Sequence, residues 1–97
     1  MPTKNEIIDY LKEYKQKNQD KLFIEKLGLF GSFARDEQSK NSDIDIVVQF
    51  SKPNLFTQAG IMEDLKEKFH IDVDVIALWD KMNPRLKNRI QKDVIYV

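Results

Sequence analysis

An aspartate stands inside the most strongly β-forming stretch of the chain. Ile44, Ile46, Val47, Val48 and Phe50 are β-branched or aromatic residues suited to a buried strand, yet Asp45 interrupts them and Asp43 stands just ahead. Residues two apart on a strand point to one face, which puts both carboxylates on one side with Cα atoms about 6–7 Å apart. Carboxylates at that separation can converge on two metal ions about 3.5–4 Å apart. A short interval earlier, the apolar run Leu27-Gly28-Leu29-Phe30 ends at Gly31-Ser32. A glycine at a strand end lets backbone N–H groups come close to a phosphate, and a helix N-terminus behind it favours negative charge. Strand, Gly-Ser turn, short helix, loop and acid-bearing strand can together hold a nucleoside triphosphate and its metals.

The flanking pattern supplies a frame for that unit. Thr3 with Glu6 is a capping box, and Ile7, Leu11 and Tyr14 follow at helical spacing, predicting a helix from Lys4 to Lys17. Ser32 to Asp36 is long enough for a short helix, and Glu37 to Ser42 reads as an exposed loop. Leu55, Ala59, Met62, Leu65 and Phe69 predict a second long helix, closed by His70, whose charge suits the negative end of the dipole. Ile71, Val73, Val75 and Ala77 alternate with Asp72, Asp74 and Ile76, predicting a third strand with both aspartates on one face. Asn83-Pro84 is an N-cap followed by proline at the first helical position, and Leu86 and Ile90 give that helix its inward stripe. Val94 to Val97 is apolar, a terminal strand or an extended tail on the core. The order α-β-(short α)-β-α-β-α-(β) predicts an α/β sheet with helices packed against it, built as one domain over residues 1–97. Phe30, Phe50, Phe56 and Phe69 fit core positions, and Trp79 reads as packing, with base stacking or an interface as the alternative.

Composition narrows the function. The chain has 97 residues, near the lower end of what builds one core unaided. Sixteen basic residues balance sixteen acidic ones, which argues against a general nucleic-acid binder. The absence of cysteine excludes disulfides and thiolate metal sites. No apolar run spans a membrane and the N-terminus is polar, so the expected location is the cytoplasm. Lys81, Arg85, Lys87, Arg89 and Lys92 make the last helix basic, which reads first as a solvated face. Arg85 and Arg89, four apart, share a side that an acidic partner or RNA could meet.

Neither Gly31-Ser32 nor Asp43-Ile44-Asp45 is specific alone. An EF-hand is excluded because its glycine is missing and the isoleucines belong to a strand. Glycosyltransferases that use Asp-x-Asp need a larger domain. The combination is specific. Gly31-Ser32-Phe33-Ala34-Arg35 with Ser42-Asp43-Ile44-Asp45-Ile46 resembles the minimal nucleotidyltransferases, the MNT family, within the superfamily of DNA polymerase beta and kanamycin nucleotidyltransferase. The likeness continues through Pro84-Arg85-Leu86 to Val94-Ile95-Tyr96-Val97 and covers nearly the whole chain.

That resemblance implies a small nucleotidyltransferase palm, a mixed sheet with helices against it. It implies that Gly31, Ser32, Arg35 and Ser42 lie around the nucleotide, with Ser32 and the turn amides on the triphosphate. It also implies that Asp43 and Asp45 bind two Mg²⁺ ions and that a third carboxylate completes one metal site. By the resemblance, Asp74 matches the family's spacing to the Pro-Arg-Leu helix better than Asp72, which is left beside the site, on a partner or in solvent. Arg35 could equally brace the turn by pairing on the surface. The family often carries glycine after this arginine; here Asp36 adds a charge near the anion site.

The implied activity is Mg²⁺-dependent transfer of a nucleotide, AMP from ATP, to a hydroxyl. Many family members are antitoxins encoded beside a HEPN-domain toxin. The resemblance therefore implies adenylylation of a toxin tyrosine and a hetero-oligomeric partner. Two alternatives stand beside it: a non-catalytic antitoxin that blocks its partner, and an enzyme that modifies a small molecule such as an antibiotic. The missing second domain argues against the latter.

Overall fold

The computed structural model describes residues 1–97. Thr3 Oγ1 accepts the Glu6 N–H at 3.1 Å, and Glu6 Oε1 accepts the Thr3 N–H at 3.3 Å. These reciprocal bonds satisfy two of the free donors at a helix start. They open α1, Lys4–Asn18, which buries Ile7, Leu11 and Tyr14. The remaining elements are β1 (Ile24–Phe30), β2 (Ile44–Phe50), α2 (Leu55–Phe69), β3 (Val73–Ala77), α3 (Pro84–Asp93) and β4 (Ile95–Tyr96).

The sheet is mixed, in the order β3-β2-β1-β4. β2 and β3 run parallel, while β1 is antiparallel to both β2 and β4. Ile44, Ile46 and Val48 of β2 point to one face, into a core shared with Ile7 and Leu11 of α1 and Ile61 and Leu65 of α2. Val47 points to the other face, where Phe30 meets Ile90 of α3 and Met82. A strand covered on both faces must be apolar nearly throughout, which is why Asp45 stands out. Ile46 is fully buried, so Ile46→Ala costs about 2–5 kcal/mol. Tyr14 Oη donates to Asp64 at 2.8 Å and ties α1 to α2.

β4 docks on β1 because Gly28 leaves room for it. A Cβ there would lie 2.8 Å from Val94 Cγ2 and 3.0 Å from the Ile95 carbonyl oxygen. The Val97 N–H donates to the Leu27 carbonyl at 2.9 Å, so the apolar C-terminal run is a strand end on the sheet. No helix is long and apolar enough to cross a membrane.

The structure departs from the sequence pattern in several places. β1 starts at Ile24, ahead of Leu27, because Glu25 and Lys26 are exposed strand residues whose charge disguises them. Ser32 to Asp36 is a compact turn and not a helix. Its Arg35 and Glu37 N–H groups donate to the Gly31 and Ser32 carbonyls, at 3.2 and 2.9 Å, so no helical ladder repeats. Asp36, at φ 57°, ends it in the left-handed region. β3 starts at Val73, which leaves Asp72 ahead of the strand. Phe56 and Trp79 are exposed, contrary to a packing role, while Phe33 in the turn is fully buried.

Candidate active site

Asp45 lies in the sheet between Phe30 of β1 and Asp74 of β3, in register with both. It shares a face with Val47, so its carboxylate is on the α3 side of the sheet. Adjacent strands lie about 4.8 Å apart, so Asp45 and Asp74 are direct neighbours on parallel strands. Asp43 is the exposed loop residue just before β2, so the expectation that both carboxylates stand on the strand holds for Asp45 alone. The first rung past it is the Ile44 N–H donating to the Asp72 carbonyl at 3.0 Å.

Burial, then Asp74, then Asp43 push the Asp45 carboxyl up from 3.8 to about 6, while Arg89 and Arg35 pull it back. Three carboxylates thus act on one spot, and cations offset only part of their repulsion. Asp72, ahead of the strand, lines a shallow hollow with Asp43, Lys40 and Ile71.

Gly31 makes room for this arrangement. A Cβ on residue 31 would lie 2.2 Å from Asp45 Oδ2, and its φ of +77° is in the region that favours glycine. The sequence pattern assigned this glycine to phosphate approach; the structure adds the packing of Asp45 over its Cα. Ser32 follows in the turn, half-buried. Arg35 is committed to the scaffold: its Nε donates to Glu37 at 3.1 Å, and its Nη1 pairs with Asp93 near the end of α3. Glu37 and then Asp93 hold its guanidinium more firmly charged. Ser42 Oγ accepts the Ser39 N–H at 2.9 Å while the Ser42 N–H donates to the Ser39 carbonyl at 3.1 Å, locking the loop that delivers Asp43. Asp36 turns toward α1 and pairs with Lys4 at 3.2 Å, so its charge has a partner outside the site.

Arg89 is placed by the sequence on a basic helix face open to an acidic partner or RNA, and is not connected there with Asp45. It lies one turn before Asp93, on the helix side that Arg35 ties to the Gly31–Asp36 turn, and it acts on Asp45. Arg35 and Asp93 form a pair across 58 positions of chain, which no local pattern reveals.

No three acidic or histidine side chains close into a ready-made ion cage. Mg²⁺ takes one or two carboxylates and completes its shell with water and phosphate oxygens. The donors are hard carboxylate oxygens, and the half-buried Asp45 carries repulsion that a cation would relieve. Asp43, Asp45 and Asp74 are the carboxylates that could hold such an ion.

Fold and site together define a nucleotidyltransferase palm. Residues 5–97 match the family described as polymerase beta, nucleotidyltransferase. The chain belongs to that family. It is 37% identical over 100 residues to a protein of Methanocaldococcus jannaschii provisionally named a protein adenylyltransferase, with both chains covered in full. It is 28% identical over 98 residues to the protein adenylyltransferase MntA of Thermococcus cleftensis, covering 100% of this chain and 98% of that one. A solved minimal nucleotidyltransferase, provisionally so named, superposes with a TM-score of 0.73 at 22% identity, over 97% of this chain and 95% of that one. A toxin–antitoxin structure with AMP-PNP gives 0.70 at 23% identity, over 98% and 72%. A tri-AMPylated Shewanella oneidensis HEPN toxin in complex with MNT antitoxin gives 0.58 at 18% identity, over 88% and 70%. At these identities the solved structures bear on the fold.

Proposed function

We propose that the chain transfers AMP from ATP to a hydroxyl of a protein in a Mg²⁺-dependent reaction, and that the acceptor is a tyrosine of a HEPN-domain toxin, which the transfer neutralises in the cytoplasm. The observation that carries this reading is the in-register pair of Asp45 and Asp74, with Asp43 beside it and Gly31-Ser32 at the adjoining strand end. Relatives along the full chain bear the adenylyltransferase name, and the HEPN complex supports the choice of acceptor.

Mg²⁺, when bound, neutralises phosphate charge and lowers the pKa of an attacking hydroxyl. The chain's residues do the positioning. Ser32 and the turn amides hold the triphosphate oxygens. Asp43, Asp45 and Asp74 would hold the Mg²⁺ ions, and Asp74 would take the proton of the acceptor hydroxyl. The acceptor oxygen forms its bond to the α-phosphorus as the bond to the bridging oxygen breaks, and pyrophosphate leaves. Arg89 adds positive charge on the α3 side, and Arg35 keeps the turn fixed to α3. Phosphoryl-type transfer needs such positioning and charge compensation more than covalent chemistry from the protein.

Intact-mass analysis tests this directly. A purified HEPN-domain partner incubated with the chain, ATP and Mg²⁺ gains the mass of one or more AMP units on a tyrosine. Neutralisation of the toxin without any mass gain would instead make the chain a steric blocker.

A further inference from the structure

One guanidinium near the acidic site is free. The cations that act on Asp45 are Arg89 and Arg35. Arg35 is divided between Glu37 and Asp93. Arg89 is exposed and enters no ion pair.

The packing of α3 fixes where Arg89 stands. Its neighbour Ile90 is fully buried in a cluster with Phe30 and Val47. Phe30 is the strand partner of Asp45, and Val47 lies two residues beyond Asp45 on the same face. Ile76, two residues beyond Asp74, packs against the same cluster. Both carboxylates and α3 therefore share one side of the sheet. One turn after Arg89, Asp93 holds Arg35 of the Gly31–Asp36 turn, with its own side chain only 12% exposed. Arg89 adjoins one of these anchors and shares a helix side with the other, which brings it beside the space between the turn and Asp45. The nearness is felt at Asp45, whose carboxyl Arg89 pulls back more than Arg35 does.

Arg89 is thus close enough to act on Asp45 without pairing with it. The space they border is negative on the sheet side and positive on the α3 side. A polyphosphate with its divalent cation carries charges of both signs to match. A guanidinium is also the side chain whose planar fork fits two oxygens of one phosphate. We propose that Arg89 is a triphosphate-binding residue, reaching the phosphate oxygens from α3 while Ser32 and the turn amides hold them from the end of β1. The inference rests on the reading of the chain as a nucleotidyltransferase that uses ATP. It divides the work of two arginines: Arg35 braces the turn, and Arg89 touches the substrate.

The test is titration calorimetry of the full chain with AMP-PNP and Mg²⁺. Arg89→Gln should weaken AMP-PNP binding about tenfold or more, as loss of a hydrogen-bonded contact to a charged group does. Arg89→Lys, which keeps the charge and loses the fork, should recover part of that loss. Lys92→Gln, which removes one charge from the same helix, should bind as wild type does. The sign of the change separates contact from compensation. An arginine that only offset the carboxylates would, once removed, leave them more negative, and the metal-bound nucleotide would bind equally well or more tightly. Unchanged or tighter binding by Arg89→Gln would therefore overturn the proposal. So would equal weakening by Lys92→Gln, since the effect would then belong to the charge of the helix as a whole. Wild-type protein that binds AMP-PNP but labels no HEPN-domain partner would overturn the choice of acceptor instead, and the affinities of the variants would still decide the role of Arg89.

Discussion

Asp45 Oδ2 occupies the space that a Cβ on residue 31 would need, 2.2 Å from the ideal Cβ position. Turn and acid-bearing strand are thus fitted to each other through Gly31 and Asp45. Gly31→Ala should lower stability by about 1–3 kcal/mol through the collision and the left-handed backbone together. In the Asp45→Ala background the same change should cost distinctly less, because the colliding carboxylate is gone. Denaturant titration of the four proteins measures that coupling. Additive costs would show that the contact is relieved elsewhere.

Asp45 should also give the protein a pH-dependent stability. Its carboxyl is raised from 3.8 to about 6 by burial, Asp74 and Asp43, so the folded state binds the proton more tightly than the unfolded state. The contribution is present in full below pH 3.8, falls as pH rises to about 6 and is flat above. After discounting for a half-exposed, partly screened group, the amplitude is about 1–2 kcal/mol. Asp45→Asn should flatten this slope and raise metal-free stability at pH 7.5. Melting curves across pH 4–8 compare the two, and identical slopes would contradict the electrostatic account.

Asp74 and Asp72 should separate in activity. Asp74 is in register with Asp45, whereas Asp72 precedes the strand and lines a hollow beside Asp43. Asp74→Ala should remove AMP transfer almost entirely, and Asp72→Ala should cost much less. Steady-state transfer to one acceptor measures both. An inactive Asp72→Ala beside an active Asp74→Ala would reverse the assignment.

Asp36 stands at a backbone position that glycine favours, φ 57°. Its pair with Lys4 is largely exposed on the Asp36 side. Asp36→Gly should therefore preserve transfer and change stability by less than about 1 kcal/mol. Asp36→Val, β-branched in the same region, should cost about 1–3 kcal/mol. Thermal melts of both variants decide.

Much of the frame was legible because its signals are local. The Thr3–Glu6 box, the β-branched run of β2 and Asn83-Pro84 each act within a few residues, and each element formed where they placed it. Asp45 was legible as an acid inside a strand that is otherwise apolar. Long-range packing hid the rest. Five residues after Gly31 are too few to nucleate a helix, so the buried Phe33 and the left-handed Asp36 decide the turn. The inward side of α2 is set by Ile61 and Leu65, which turns Leu55 and Phe56 outward. Arg89 gained its place only when Asp93 met Arg35 from far along the chain.

The central claim is that Asp43 and Asp45 hold the metals for transfer of AMP to a protein hydroxyl. The direct measurement is label transfer from α-phosphate-labelled ATP to a HEPN-domain partner, by wild type, Asp43→Asn and Asp45→Asn, with and without Mg²⁺. Wild type with Mg²⁺ should label the partner, and both variants and the Mg²⁺-free reaction should fall to background while AMP-free complex formation persists. Near-wild-type labelling by either variant, or labelling that ignores Mg²⁺, would contradict the account.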